Sequence, residues 1–285
     1  MLEKAIPLLK KAQKQDYAIG AFNTSNLEIT QGIVRGAINA RAPVIIMVTE
    51  MSIRYAGLKT ITSIIKGVVE EEAKDIPFVL HLDHGRSYQI IERVIEAGFN
   101  SVMIDGSNLP FRENLALTEK VVNYAHRHKV DVQAELGIVP HLGEEPLSVD
   151  WKEIMTDPDE AEEFVKKTKI DTLAVAIGNA HGFFRERPTL DWQRLEDIQR
   201  RVKIPLILHG ASDFSSKNIK KAIKGGVACF NIDTDLRVAF SSALRTKLLE
   251  NHSIYDPRSI LKPATEAVEK VVEKKIKTLG SNDKA

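Results

Sequence analysis

The chain has 285 residues, 43% of them hydrophobic, so it can bury a core as large as one big α/β domain requires. Its 40 Lys and Arg against 39 Asp and Glu leave a formal charge of +1, which excludes the global basic field of a nucleic-acid or anionic-membrane binder. A single cysteine, Cys229, excludes an intramolecular disulfide and a cysteine-rich zinc site. No apolar stretch reaches the ~18 residues of a membrane span, so we expect a cytoplasmic protein.

Short apolar, β-branched runs alternate along the chain with longer stretches of helical period, a pattern typical of βα units around a parallel sheet. The predicted strands are residues 17–22, 43–48, 77–82, 99–104, 130–135, 171–177, 205–209 and 227–232. Eight strands that alternate with helices in about 250 residues predict a (β/α)8 TIM barrel. No linker or low-complexity block interrupts the alternation, so we expect one domain over residues 1–285.

Both ends of the sequence predict helices. Residues 1–15 are amphipathic and charged, which argues against a signal peptide. Residues 261–280 predict a C-terminal amphipathic helix that docks on the barrel or on a second subunit; its apolar face comprises Ala264, Ala267, Val268, Val271, Val272 and Ile276. Two long non-periodic stretches, 137–158 and 178–190, each follow a predicted strand, and loops of that length are more often functional than idle.

Polar residues stand at the carboxyl end of every predicted strand. In chain order they are Asn23, Thr49 with Glu50, Asp83 with His84, Asp105, Glu135, His181, His209 and residues 231–234. The carboxyl ends of the strands form the face on which barrel enzymes carry their active sites. The sequence therefore predicts an active site at this face.

Three of the eight histidines, His84, His181 and His209, lie at or just past the ends of strands three, six and seven. Three histidines with an open fourth position make a catalytic zinc site, although each histidine taken singly could equally be a capping or core residue. In the string "HLDH", His81 is an alternative ligand to His84. Asp83 beside a metal is a candidate general acid or base. Ser87 is better placed than Asp83 to cap the following helix.

A second pattern concerns anions. The runs "HGAS" and "NIDT" follow strands seven and eight and are expected to lead into helices, whose free N–H groups bind phosphate. Gly182 lies close by in the predicted barrel. Two such runs on adjacent strands favour a phosphate-bearing substrate.

The motifs "AFNTSNLE", "VLHLDHG", "GFNSVMIDGS", "AELG", "AVAIGNAHG", "PLILHGAS" and "NIDTDLR", in this order, resemble the class II, zinc-dependent ketose-bisphosphate aldolases over nearly the whole chain. The resemblance implies a (β/α)8 barrel with His84, His181 and His209 as zinc ligands and His81 as their support. Asp83 matches the residue that exchanges a proton with the C4 hydroxyl as the C3–C4 bond breaks. Asp105 and Glu135 match positions linked to a second metal position.

The resemblance also implies how substrate is held. Gly182, Gly210, Ser212, Asp233 and Thr234 match the cradle for the phosphate of dihydroxyacetone phosphate, often assisted by a monovalent cation such as Na+ or K+. Asn231 matches a residue at the enediolate end, and Asn23 and Thr49 match substrate contacts. Asp256 and Arg258 match residues that reach the distal end of the substrate from a neighbouring subunit. Glu144 or Glu145 matches the group that transfers the C3 proton. We expect a homo-oligomer, either a dimer or a tetramer.

Three departures from the family pattern fall where substrate is chosen. Thr49, Glu50 and Met51 replace a Ser-Glu-Gly type of run, and Pro140 and His141 replace a Gly-Gly pair. Cys229 stands where a lysine is common, and the loss of that cation is expected to weaken the anion site. The leading prediction is zinc-dependent aldol cleavage of a ketose 1,6-bisphosphate. The alternatives are an aldolase for a ketose without the 1-phosphate, such as a sulfonated or deoxy sugar, a metal-dependent barrel hydrolase, and a non-catalytic sugar-phosphate-binding barrel.

Overall fold

The structure is a computed structural model that describes residues 2–73, 75–140, 150–182, 189–212, 214–250 and 252–285. Eight parallel strands form one closed barrel in the order β1 to β8. Their bounds are β1 Ile19–Asn23, β2 Val44–Thr49, β3 Phe78–Gly85, β4 Ser101–Ile104, β5 Asp131–Leu136, β6 Thr172–Val175, β7 Leu206–Leu208 and β8 Val227–Ile232. Every predicted strand is present, and the predicted TIM barrel is confirmed.

Helices surround the barrel. Within the described residues they are α1 Ala5–Lys14, α2 Leu27–Ala40, α3 Glu50–Ala56, α4 Leu58–Glu72, α5 Tyr88–Glu96, α6 Phe111–Arg127, α7 Trp151–Ile154, α8 Pro158–Thr168, α9 Trp192–Arg201, α10 Ser216–Lys224, α11 Thr234–Glu250 and α12 Pro257–Leu279. As the sequence predicts, Ser87 caps α5 by accepting a hydrogen bond from the N–H of Ile90. No helix in the described residues is long and apolar enough to cross a membrane.

The amino-terminal helix closes the lower end of the barrel. Ala5, Leu9 and Ala12 of α1 are buried against inward-facing side chains of the strands, including Met47 and Ile207. An apolar helix face placed across the open end removes those side chains from water. Within the described residues α1 therefore covers this end of the barrel and leaves a small cavity of about 10 Å³ above it.

The predicted C-terminal helix packs on the barrel's own helix α2. Val268 and Val272 of α12 are fully buried there. The contact is close because α2 carries Gly32 and Gly36 at this surface: a Cβ at Gly36 would lie 2.8 Å from Cβ of Val272. The predicted face is confirmed, with Ala267 and Val271 at its half-buried margin.

Candidate active site

The inward-facing rows of the strands change from apolar to polar towards their carboxyl ends. On β2 the row reads Ile45, Met47, Thr49, and on β1 it ends in Asn23. These polar ends surround a pocket of about 420 Å³ at the mouth of the barrel. The predicted residues that line it are Asn23, Thr49, Asp83, His84, His181, Gly182, Gly210, Ser212, Asn231, Asp233 and Thr234.

A bulge in β3 brings two neighbouring residues into the same pocket. Strict alternation, with His81 and Asp83 facing inward, would turn His84 away from the pocket. The pairing register with β4 shifts between Leu82 and Gly85, and His84 has a φ of +49°. β3 runs through Asp83 and His84 to Gly85, whereas the sequence analysis ended the strand at residue 82. The bulge turns the side chain of His84 into the pocket. β-Bulges often redirect a side chain next to an active site.

The three predicted histidines converge. His84, His181 and His209 each offer one ring nitrogen, and those atoms all lie within 4.8 Å of one another. His81 is not a member of this cluster: its Nδ1 pairs with the hydroxyl of Ser101 at 2.8 Å, inside the barrel. Of the two alternatives in the "HLDH" string, the described geometry therefore favours His84 as a ligand.

Hydrogen bonds orient two of the rings. Nδ1 of His84 lies 2.7 Å from Asp105 Oδ2, and Nε2 of His209 lies 2.9 Å from Gln133 Oε1. Both partners are acceptors, so we assign the ring protons to these two bonds. Nδ2 of Asn231 also lies 3.1 Å from Nε2 of His209, and in this assignment its protons are directed to Asp83. The remaining nitrogens, Nε2 of His84 and Nδ1 of His209, then face each other at 2.9 Å with their lone pairs. Two lone pairs at that distance require a cation or a shared proton between them.

Surrounding carboxylates make the cluster attractive to a cation. Burial opposes the charged form of His84, but Asp83, Asp105 and Glu135 outweigh it and raise the pKa of His84 to about 9. Burial and the charges of Asp105 and Asp83 raise the pKa of Glu135 to about 8. Burial also opposes ionisation of Asp105, yet hydrogen bonding with His84 holds its pKa well below the usual range. Nitrogen donors with carboxylates behind them fit a zinc-type ion.

Asp83 is held in the pocket by two amides. Nδ2 of Asn23 donates to Oδ2 of Asp83 at 2.8 Å, and Nδ2 of Asn231 donates to Oδ1 at 3.2 Å. The carboxylate is 5% exposed and lies 3.9 Å from Nε2 of His84. A carboxylate fixed beside a cation position and open to the pocket is suited to proton transfer.

Glycine turns form the side of the pocket below β6 to β8. Gly182 and Gly210 have φ values of +86° and +62°. A Cβ at Gly210 would lie 2.1 Å from the carbonyl oxygen of Ala180, so this turn admits no side chain. Behind it, Nζ of Lys275 donates to the carbonyl oxygen of Ser212 at 2.6 Å and pairs with Asp235 at 2.6 Å. Helix α12 therefore supports the loop after β7 and the first turn of α11.

Only one of the two predicted anion-binding runs opens directly into a helix. α11 begins at Thr234, immediately after "NID". The run "HGAS" does not lead straight into α10, which begins at Ser216, and the side chain of Ser215 caps the helix by accepting from the N–H of Asn218. The prediction was wrong for this run, because Ser215 already satisfies the helix start and the glycine turn itself faces the pocket.

Other predicted residues lie apart from the pocket. Asp256 and Arg258 bond to each other on an exposed segment, with Nη2 of Arg258 donating to Asp256 Oδ2 at 3.0 Å. Asp105 and Glu135 lie behind the histidines; Glu135 Oε2 is 3.5 Å from Nδ1 of His209. Glu144 and Glu145 fall outside the described residues.

The position of Cys229 corrects the expectation that it weakens the anion site. Cys229 is 1% exposed and lines the small cavity above α1, whereas the pocket that holds the glycine turns is lined by other residues. Burial and the charge of Asp83 raise the pKa of its thiol. Strand alternation on β8 explains the difference, since Cys229 lies one inward position below Asn231.

The residues that orient the histidine rings and those at the rim of the pocket were not predicted from the sequence. Gln133 and Ser101 hold His209 and His81, and period two along β5 could have found Gln133, two residues before Glu135. At the rim, Arg54, Arg86 and Arg237 also line the pocket. Arg54 lies in helix α3 and Arg237 near the start of α11, and Arg86 follows β3 directly. No periodic signal in the sequence marks these positions.

A closed (β/α)8 barrel with three histidines and a buried carboxylate at its carboxyl mouth defines a barrel enzyme with a candidate metal centre. The family profile "Fructose-bisphosphate aldolase class-II" matches residues 3–284. The chain therefore belongs to the class II fructose-bisphosphate aldolase family, and it is a lyase of that class.

Individual relatives agree with this assignment over nearly full length. The chain is 42% identical over 279 residues to the fructose-bisphosphate aldolases of Geobacillus stearothermophilus and Staphylococcus aureus strain Mu50, covering 98% of this chain and 96% and 97% of theirs. Among solved structures, it is similar to the YdjI aldolase from Escherichia coli K12, with a TM-score of 0.86, 33% identity and full coverage of both chains.

Proposed function

We propose that this chain is a zinc-dependent aldolase that reversibly cleaves a ketose 1,6-bisphosphate, of the fructose or tagatose type, into dihydroxyacetone phosphate and an aldehyde phosphate. The observation that carries the proposal is the convergence of His84, His181 and His209 beside a pocket that Asp83, His84 and His181 line, with His209 buried behind it. The chemistry of aldol cleavage needs both a site for a cation and a proton acceptor.

The three histidines would hold the zinc ion. Bound there, zinc supplies a Lewis acid that stabilises negative charge at the C2 carbonyl end of the substrate. Asp105 orients His84, and Gln133 orients His209, so the ligand nitrogens are aimed before any ion binds. The assignment of Asp105 and Glu135 to a second metal position stays a prediction.

Asp83 would accept the proton of the C4 hydroxyl as the C3–C4 bond breaks. The electrons of that bond pass towards C2, which leaves an enediolate and releases the aldehyde. Asn23 and Asn231 donate to the two oxygens of Asp83 and hold the carboxylate in place. Asn231, which also lines the pocket, would contact the enediolate as well. The enediolate carbon then takes a proton, for which Glu144 or Glu145 remains the predicted group.

The glycine turns would cradle the phosphate of dihydroxyacetone phosphate. Gly182, Gly210 and Ser212 line the pocket on the side of β6 and β7, and Asp233 and Thr234 line it at the start of α11. Backbone N–H groups at glycine turns and at a helix start suit a phosphate. A monovalent cation, Na+ or K+, beside Asp233 is part of the proposal.

A homo-oligomer, a dimer or a tetramer, is also proposed. Among the described residues α11 buries only Leu236, while Leu249 is 71% exposed and Tyr255, just beyond the helix, is 91% exposed. Apolar side chains on a protruding helix favour a covering partner. A second copy placed there would let Asp256 and Arg258 approach a neighbouring pocket. A cytoplasmic location stays a prediction.

Triose formation tests the proposal. Zinc-loaded protein is incubated with fructose and tagatose 1,6-bisphosphates in parallel, and dihydroxyacetone phosphate is detected by a coupled assay with a chelator-treated control. Chelator-sensitive cleavage of one sugar supports the reaction and assigns the C4 configuration. Release of inorganic phosphate without triose would instead favour the hydrolase. Cleavage restricted to ketoses without a 1-phosphate would favour the alternative aldolase for such sugars. That alternative has less support because Cys229 lies at the small cavity above α1 and not in the pocket.

A further inference from the structure

We propose that Arg86, assisted by Arg54, binds the anionic group at the aldehyde end of the substrate and thereby determines which ketose is cleaved. The inference rests on the proposed aldol cleavage and deepens it. Both arginines line the pocket at its rim, Arg86 directly after β3 and Arg54 in helix α3, which follows β2.

The barrel order places these arginines away from the glycine turns. The turns follow β6, β7 and β8, whereas Arg86 follows β3, which is four strands from β7 in a barrel of eight. The candidate metal centre lies between, because His84 comes from β3 and His181 and His209 lie at β6 and β7. A substrate with its phosphate in the turns and its carbonyl at the metal centre extends its other end towards the rim of β2 and β3.

Among the three arginines that line the described part of the pocket, Arg86 has the least compensated charge. Arg237 forms two bonds with Asp233, at 2.8 and 2.7 Å. Arg54 lies 3.7 Å from Glu50, which is a loose ion pair. The guanidinium of Arg86 is exposed and bonds to no carboxylate within the described part of the chain. A free guanidinium in a substrate pocket is a ready partner for a phosphate, sulfonate or carboxylate.

Glu50 ties the two rim loops together. Its Oε1 accepts the backbone N–H of Arg86 at 2.8 Å, while its Oε2 faces Arg54. The backbone that carries Arg86 is therefore anchored while its side chain stays available to a ligand. An anchored backbone lowers the entropy lost when the guanidinium closes on an anion.

Paired substrates test the inference. For Arg86→Gln we expect kcat/KM for fructose 1,6-bisphosphate to fall about 10- to 100-fold, while the slower cleavage of fructose 1-phosphate is unchanged. Arg54→Gln should give a smaller loss of the same kind. Arg93→Gln, a matched control at the far end of α5, should change neither rate. An equal loss on both substrates, or no loss, overturns the inference.

A separate readout keeps this result distinct from failure of the proposed reaction. If the wild-type protein cleaves neither sugar, the proposed function fails, and binding of glyceraldehyde 3-phosphate is then measured by calorimetry. Weaker binding to the Arg86→Gln protein than to wild type supports the anion site. Equal binding to both proteins overturns it.

Discussion

Nε2 of His84 and Nδ1 of His209 lie 2.9 Å apart, while the opposite nitrogens of the two rings bond to Asp105 and Gln133. This relationship has a direct consequence for the metal-free protein. Without a metal ion, a proton has to separate the two facing nitrogens. The metal-free cluster therefore retains a proton that a metal ion would displace.

The stability of metal-free protein should fall as pH rises from about 6.5 to about 9. Below this window the buried His81, whose pKa burial lowers to about 4, offsets the effect of Glu135. The pKa of His84 is about 9 against 6.5 for the ordinary group, and that of Glu135 is about 8 against 4.5. In this window the folded chain retains protons that the unfolded chain releases, so each unit of pH favours unfolding. Urea midpoints across the range measure the effect. Glu135→Gln should flatten the decline.

In the metal-loaded protein, the stability that the metal adds should rise with pH. Ligand nitrogens must be deprotonated to bind metal, so metal affinity, and the stability it adds, rises with pH. Urea midpoints of zinc-loaded and chelator-treated protein should therefore diverge as pH increases. Parallel curves would contradict a metal centre at the three histidines.

Asp83→Asn should abolish most of the aldol cleavage and leave metal binding intact. Loss of a positioned general acid or base costs typically about 10²–10⁴-fold in rate. The new side chain keeps one acceptor oxygen for the amide of either Asn23 or Asn231; the other amide, which now donates to the carboxylate, has to turn over so that its oxygen accepts from the new NH2 group. Cleavage rate and bound metal are measured on the same sample. Asp75→Asn, at an exposed position, is the control and should change neither the cleavage rate nor the metal content. If Asp83→Asn loses its metal, Asp83 is a metal ligand and the assigned role is wrong.

Gly36→Ala should destabilise the protein by about 1–3 kcal/mol, because the new methyl group overpacks the contact between α2 and α12. Its Cβ would lie 2.8 Å from Val272 and 2.9 Å from the carbonyl oxygen of Glu269. Gly67→Ala in α4 is the matched control: nothing lies within 4 Å of its Cβ. We expect that change to stabilise by about 0.5–1 kcal/mol. Denaturant unfolding distinguishes the two, and equal effects would refute the close packing.

Lys275→Met should raise KM for phosphorylated substrate more than it lowers kcat. Lys275 bonds to the carbonyl oxygen of Ser212 and pairs with Asp235, so its loss loosens the glycine-turn side of the pocket. We also expect a loss of roughly 1–3 kcal/mol in stability, since a half-buried carboxylate loses its partner. Lys274→Met, on the exposed side of α12, serves as control. Unchanged KM in the Lys275 variant would show that α12 does not support the phosphate loops.

The barrel and the three histidines could be predicted because both follow from periodic signals. Strands alternate with helices, and carboxyl ends of parallel strands meet on one face. The bulge that turns His84 into the pocket breaks that period, so alternation alone could not place it beside Asp83. Gln133 was within reach of the same rule and was missed.

Residues whose roles depend on neighbours outside their own strand were harder to predict. Cys229 was expected at the anion site because it matches a lysine position of the family. Its side chain faces inward on β8, two residues before Asn231, and therefore lines the small cavity above α1. Asp256 and Arg258 bond to each other away from the pocket, and any role at substrate needs a second copy. Arg86 faces the pocket because of where β3 ends. Spacing along the sequence does not indicate contacts between residues on different strands, loops or subunits.

Within the described residues, helix α1 covers one end of the barrel, so the pocket is reached from the opposite mouth. If the proposed aldol cleavage takes place in this pocket, substrate and both products share that mouth. A product held at the glycine turns would then leave after the product that lies under the rim. A short amino-terminal helix at the far end of the molecule would in this way impose an order on product release.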